Sequence, residues 1–582
     1  MAERIVSPGV FSREQDLSFI APAAVEASTA FVGPTVKGPV SVPKVVTSYS
    51  QFKNIFGSTF KVAGEDKEYL TSIAVRNFFQ QGGQSALITR ALGTAVAAEC
   101  SAIAPLLTSS NVTATDLFSI GTLAEGADQN TGNLLAGSTF LTGGTADNIR
   151  LEIADVDDET CTFTLLVRRG DDNDTNKTVL ETFANITLDP TSPNYIRRAI
   201  GDMSYRRVNN DFVEAGSYAN RSNYIVVTGI DTTVASELAN GYFDQAGDIR
   251  ESSTSFDLDE FLPAESTAIG FSGGTGAGSS SPELFQHISS TTENQGVAVS
   301  AYSDIFSILG NKDAYNFDVI AAPGLIYSIG GGHATAINSM ITLAEERGDC
   351  IAVVDLGKCT DTVNQVASFG KSLNSSFAAT YFPWVKIRSE YGQPVLVPAS
   401  TLIPGVYAFT DSVAAPWFAP AGLVRGGIPG VLGVQQKLSR ADRDKLYSKK
   451  VNPIASFPGQ GYAVFGQKTL QTKSSALDRV NVRRLLIELK AFLGGQGRNL
   501  IFEQNTIATR NSFLAAVNPY LESVVQRQGL YAYRVVMDDT NNTADVIDRN
   551  QLVGQIYIQP AKTAEFIVLD FVVEPTGASF GA

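Results

Sequence analysis

Cysteine and histidine are scarce in this chain: four Cys and two His in 582 residues. Cys100, Cys161, Cys350 and Cys359 form no C-x-x-C pair, and the histidines are His287 and His333. That excludes a zinc site built on Cys/His spacing, and the sequence implies no metal. So few cysteines cannot staple so long a chain, which points to folding in a reducing cytoplasm. No run of ~18 apolar residues could span a bilayer, and Met1 to Phe11 lacks a charged-then-apolar leader. The expectation is a soluble protein without membrane insertion. Positive charge is also short: 44 Lys and Arg face 59 Asp and Glu, a net charge of −15. A general nucleic-acid binder is normally basic, so no direct nucleic-acid partner is expected. No repeat of fixed period is found.

What is present is apolar material for large cores: 44% of residues are hydrophobic and 18% charged. A single core rarely grows past ~250–300 residues, so three or more domains are expected. The charge is uneven. Residues 421–500 carry 14 Lys and Arg against 4 Asp and Glu, and residues 101–270 carry 10 against 26. A basic block in an acidic chain suggests an acidic partner or neighbour.

Residues 1–20, with Ser7-Pro8-Gly9-Val10-Phe11, read as an extended arm. Leu70, Ile73, Ala74 and Phe78 follow helical spacing up to Gly82-Gly83, and a strand is read at Ala86 to Arg90. Residues 93–270 show short alternating runs and read as β-rich, closed by a Gly/Ser stretch at 273–281. From 317 to 356 the pattern is strand, helix, strand, which implies parallel pairing with a right-handed crossover. Ser439 with Asp442 marks a helix start. A second helix is read from about Ser475 to Leu493, stopped by Gly494-Gly495, and a third around Phe513 to Val525. Three strands follow, at 531–537, 552–558 and 566–573, the last with Ile567, Leu569, Phe571 and Val573 on one apolar face.

Catalytic motifs do not assemble. Gly270-Phe271-Ser272-Gly273-Gly274 matches G-x-S-x-G, but no credible Asp–His pair follows Ser272. Gly330-Gly331-Gly332-His333 has Thr335 where a dinucleotide loop needs its third glycine, and Gly370-Lys371-Ser372 has Gln365 in place of a phosphate loop's first. Asp172, Asp174 and Asn176 echo a calcium loop, with Lys177 replacing its glycine. These read as turns and a solvated acidic loop; no cofactor is implied.

The second half carries a set of specific motifs. They include Trp417-Phe418-Ala419-Pro420-Ala421-Gly422, Gly461-Tyr462-Ala463-Val464-Phe465-Gly466 and Leu477-Asp478-Arg479-Val480-Asn481-Val482. Arg510-Asn511-Ser512-Phe513, Asp539-Thr540-Asn541-Asn542-Thr543 and Tyr557-Ile558-Gln559-Pro560-Ala561 follow. With Ser7-Pro8-Gly9-Val10 and Phe31-Val32-Gly33-Pro34 near the start, they resemble the tail sheath proteins of contractile-tailed bacteriophages, over roughly 411–582 and 1–92.

That resemblance implies an α+β multidomain fold: a shared C-terminal α/β domain, a β–α–β-containing middle domain, a β-rich outer insertion and extended terminal arms. The expected divisions are an arm at 1–20, a β-rich outer/middle domain from 21–92 and 131–270, and a variable outer insertion at 93–130. An α/β middle domain at 271–410, an inner domain at 411–562 and an arm at 563–582 complete them. The resemblance also implies a non-enzymatic helical homo-oligomer around a tail tube, with baseplate and terminator proteins as further partners. It would be assembled in the host cytoplasm and reside in the virion. Contraction would drive the tube through a bacterial envelope. In such proteins the arms lend strands to neighbours, which assigns Val6, Val10, Phe11, Ile567, Leu569, Phe571 and Val573 to strand exchange. On the basic helix, Arg479, Arg483 and Lys490 are expected on one solvent-facing side, meeting an acidic surface of the tube or a neighbour, while Arg484 pairs with Glu488. The alternatives are a sheath of a phage-derived bacterial injection device and, remotely, a serine hydrolase using Ser272.

Overall fold

A computed structural model describes residues 25–62, 65–92, 97–100, 103, 116–208, 211–238, 261–275, 297 and 299–565. Both arms' strand residues, Val6, Val10, Phe11, Ile567, Leu569, Phe571 and Val573, lie outside the described residues, as do His287 and residues 276–281.

An eight-stranded sheet organises the fold. Its order is Lys44–Val46, Ala86–Arg90, Val25–Gly33, Tyr315–Ile326, Ile351–Asp355, Ala378–Phe382, Asn452–Phe457, Gly461–Val464. The inner six strands are parallel. An antiparallel strand closes each edge. Parallel strands need both faces covered, which is why 86–90, 351–355 and 378–382 are buried along their whole length. Tyr302, Ile305, Met340, Ala344 and Val366 bring three helices, Val299–Leu309, Gly331–Arg347 and Val363–Ser372, into one core. Phe52, Ile73, Phe78, Val406 and Tyr407 bring Tyr49–Phe56, Leu70–Gln80 and Ile403–Val413 into the other. The strand–helix–strand unit is present: Val319 lies opposite Ile351 in parallel register, and the helix between them ends on left-handed Gly348.

The division of the chain differs from the sequence reading in three places. Residues 25–92 do not join 131–270. Strand Val25–Gly33 lies between Ala86–Arg90 and Tyr315–Ile326, with Ala30 and Val32 in one core and Phe31 in the other. A strand that buries both rows of side chains must sit inside a sheet. Second, 93–130 is not a separate insertion: Phe118–Glu125 pairs with Ile225–Ile230, and Phe118 and Ile120 share a core with Leu151, Leu165 and Ile196. Third, no border falls at 410/411, because Asn452–Phe457 and Gly461–Val464 complete the central sheet. The C-terminal unit has its own core of Trp417, Leu485, Leu489, Val517, Leu521, Val524 and Leu530.

The outer module places a four-stranded sheet, Val179–Ile186, Thr162–Arg169, Ile149–Asp157 and Ser266–Ile269, beside a three-stranded one. A buried ionic cluster fastens it. Arg168 grips Asp172 with two bonds of 2.8 and 2.9 Å and reaches Glu152 at 2.7 Å and Asp174 at 3.1 Å. Arg150 donates to the Asp172 carbonyl at 3.0 Å, and Lys177 to Glu152 at 2.6 Å. The carboxylates that echo a calcium loop are thus neutralised by guanidinium groups, as burial of charge requires.

Candidate functional site

The basic helix runs Val480–Arg498, longer than expected. Gly494 and Gly495 do not stop it; nothing lies within 4 Å of a Cβ built at either. Its first turns are buried on several sides. Val480 and Ile487 enter the central-sheet core, and Leu485 and Leu489 enter the C-terminal core. The helix therefore couples two packing units.

This burial changes the fate of its arginines. Arg484 does not pair with Glu488. It reaches Asp411 on the 403–413 helix at 2.5 Å, and its guanidinium lies 4.8 Å from the centre of the Tyr407 ring. Burial alone would lower the Arg484 pKa, but the Asp411 carboxylate, together with Tyr407 and Asp318, raises it. Arg483 is only 4% exposed. Its Nε donates to the Ser376 carbonyl at 3.2 Å and its Nη2 to the Ser376 hydroxyl, and it stacks 3.9 Å from the Phe377 ring centre. Desolvation drops its pKa to about 10. Lys490 is exposed and reaches over the same ring at 5.8 Å. Its pKa is lowered by burial first, then by Arg483 and Lys312.

Arg479 belongs elsewhere. It precedes the helix in extended conformation and pairs with Asp478 at 2.8 Å and Glu565 at 2.6 Å. The three cations do not form one solvent-facing row. Arg483 and Lys490 share an aromatic ring, while Arg479 is bound to acids of its own chain. The sequence reading treated arginine on a helix as a surface residue, and it missed Asp411 and Glu565, because partners 73 and 86 residues away leave no local signal.

The motifs of the C-terminal unit meet in space. Trp417 sits in its core and donates from Nε1 to the Arg527 carbonyl at 3.0 Å. Arg510 joins Asp539 at 2.6 Å and Asn505 at 2.7 Å. Buried Asn542 clamps Val553 through both backbone groups, accepting at 2.9 Å and donating at 2.8 Å. That brace holds an antiparallel pair, Leu530–Val536 with Gln555–Pro560. Tyr533, Val535, Ile556 and Ile558 pack on the C-terminal core, whereas Tyr531 and Tyr557 face outward. Among the described residues neither strand has a partner on its outer edge. A two-stranded ribbon with open edges offers backbone donors and acceptors to an added strand.

The remaining motifs are structural. Ser272 bridges Glu99 through its backbone in the outer module. His333 lies buried in the helix 331–347, accepting at Nδ1 from the Ile326 amide at 3.3 Å. The two residues belong to different packing units. A Cβ on Gly270 would meet the Gly132 carbonyl at 1.9 Å, and one on Gly370 the Lys449 carbonyl at 2.4 Å, so close backbone approach accounts for both glycines. Among the described residues no Cys, His, Asp and Glu group is arranged to hold a metal. No described helix is long and apolar enough to cross a membrane.

Comparison with known proteins adds family information. Residues 295–470 match the phage tail sheath protein central domain, and residues 472–574 the phage tail sheath C-terminal domain. Over 184 residues the chain is 45% identical to the tail sheath protein of Vibrio phage KVP40, covering 32% of this chain and 27% of the relative. It is 43% identical over 184 residues to the tail sheath protein of Enterobacteria phage T4, covering 32% and 28%. The match therefore spans little more than a quarter of these curated relatives. A crystal structure of a sheath tail protein from Listeria innocua superposes over 92% of this chain and 96% of that chain, with a TM-score of 0.51 at 10% identity. That likeness concerns the fold.

Proposed function

With both domains of the phage tail sheath family carried between residues 295 and 574, we propose that this chain is the structural subunit of a contractile tail sheath. Copies polymerise helically around a tail tube, and the sheath contracts to drive the tube through a bacterial envelope during genome delivery. The tube, a baseplate and a terminator complete the assembly, which forms in the host cytoplasm and remains in the virion. The family match carries this reading.

The geometry supports it physically. The ribbon 530–536/555–560 is two strands wide with open edges among the described residues, and the apolar sequences of the two arms are what we assign to extend it from neighbouring copies. The subunit's large cores let it rotate as a near-rigid body while exchanged strands act as hinges. A polymer that moves without a fuel must store energy at assembly, and about 1–3 kcal/mol of differential contact energy per subunit accumulates along a helix of many copies. Lys490, over the Phe377 ring that buried Arg483 backs from inside, remains the contact we assign to an acidic patch of the tube or a neighbour, and Arg479 contributes only through the group it positions.

Negative-stain microscopy of the purified full chain at high concentration tests the reading. Long hollow tubes of uniform width are expected. Uniform small globules across salt and concentration would sink it.

A further inference from the structure

Three separate elements converge on one carboxylate at the root of the C-terminal arm. Glu565 accepts from the Tyr447 hydroxyl at 2.8 Å, from Gln467 Nε2 at 3.1 Å, and from Arg479 Nε and Nη2 at 2.6 and 3.0 Å. Tyr447 comes from the helix Arg440–Ser448, Gln467 from the segment after the sheet-edge strand 461–464, and Arg479 from the entry to the helix 480–498. Gln467 also donates to Thr563 at 2.5 Å. The Glu565 side chain is 17% exposed. Burial would raise its pKa, but the bonds from Arg479, Tyr447 and Gln467 hold it below the usual carboxylate range.

The surroundings make this grip unusual. Residues 561–565 form neither helix nor strand, and Lys562 to Ala564 are exposed. A free surface segment gains little from one ion pair. Here four donors from distant parts of the chain meet a single acid at the point where the apolar strand sequence 566–573 begins. A bidentate Arg–carboxylate fork fixes direction as well as position.

We propose that Glu565 is the pivot of the C-terminal arm. The Arg479–Tyr447–Gln467 pocket holds the arm's root on its own subunit, so that a pull from a second copy of this chain passes into the base of the 480–498 helix. Val480 and Ile487 then carry it into the central-sheet core. Glu565 is a positioning residue: it makes no contact with the neighbour itself. This rests on the reading of the arm as a shared strand.

The test uses the full chain with Glu565→Gln, Arg479→Lys and Tyr447→Phe, beside a truncation after Glu565. Critical concentration for tube formation and the urea midpoint of tube disassembly are measured together with monomer melting. Glu565→Gln should raise the critical concentration about tenfold and lower the disassembly midpoint, with monomer melting unchanged. Arg479→Lys and Tyr447→Phe should give smaller shifts in the same direction. The truncation should make no tubes. Wild-type assembly by Glu565→Gln, alongside a truncation that fails, would overturn the pivot and leave the strand-sharing reading standing. Monomer melting that falls in step with assembly would also overturn it, since the clasp would then be ordinary stabilisation. Tubes from the truncation would remove the strand-sharing reading itself, and the pivot with it.

Discussion

The outer module and the C-terminal unit both pair arginines with acids of their own chain, yet they differ in how far their sheets are completed. In the outer module, Arg150, Arg168 and Lys177 are matched inside by Glu152, Asp172 and Asp174. Its two sheets close on one core from Ala98 to Phe271. In the C-terminal unit, Phe502 is fully exposed with φ +72°, Ile501 and Ile507 stand out beside it, and the ribbon 530–536/555–560 keeps open edges. Both leave apolar side chains exposed, Leu134, Leu135 and Phe140 in the first and Ile501, Phe502 and Ile507 in the second, but the outer sheets are four and three strands wide and the C-terminal ribbon only two.

The sharpest way to break this contrast is to remove parts of each. Cutting after Glu565, or deleting residues 1–14, should abolish tubes and leave a folded core, read by circular dichroism and sedimentation. Replacing residues 97–275 with a short linker should preserve tubes. It should still cost the core about 1–3 kcal/mol, because fully buried Arg90 would lose its bond to the Glu125 carbonyl. Loss of assembly in that variant would mean that the module is not self-contained.

Within the outer module, Arg168→Met leaves Asp172 and Glu152 without their main counter-charge. Breaking such a buried pair should destabilise the module by about 3–5 kcal/mol in urea unfolding, with tube formation at low temperature retained.

The central sheet offers a pH signature. Asp355 is buried at the end of its strand and takes bonds from the Ser400 hydroxyl and amide. Burial pushes its pKa up to about 7, against the opposing pull of those bonds. The folded state therefore holds a proton that the unfolded chain releases near pH 4. Its contribution is present below that value and is lost as pH rises through about 7. Asp355→Asn should flatten the fall in melting temperature between about pH 4 and about 7. An unchanged slope would assign the fall to other groups.

The smallest expected effect is at Phe377. Reversing Arg483 and Lys490 to Glu should weaken assembly on tubes modestly, and wild-type assembly should weaken as salt rises. Buried Arg483 makes some loss of stability unavoidable, so Lys490→Glu alone is the cleaner variant.

Much of this fold was legible where the signal is local. The spacing of Val482, Leu485 and Leu489 marks the basic helix, and apolar runs around Gly348 mark the strand–helix–strand unit. The reciprocal Ser439–Asp442 box forms as read. What escaped depends on distant pairing. Nothing within 25–33 says that its partner is 315–326, because parallel neighbours are chosen by crossovers and by burial of both faces. The same holds for the candidate site: Arg479 and Arg483 look like surface cations until Glu565 and the Ser376–Phe377 pair are brought to them by the fold.

Hydrogen–deuterium exchange of monomer and polymer, compared strand by strand, tests the contrast most directly. Outer-edge amides of 530–536 and 555–560 should exchange freely in the monomer and slow by about a hundredfold or more in tubes, while 149–157 and 162–169 stay equally protected in both. Equal protection of the 530–536/555–560 ribbon in monomer and tubes would contradict the idea that the C-terminal unit is completed by its neighbours.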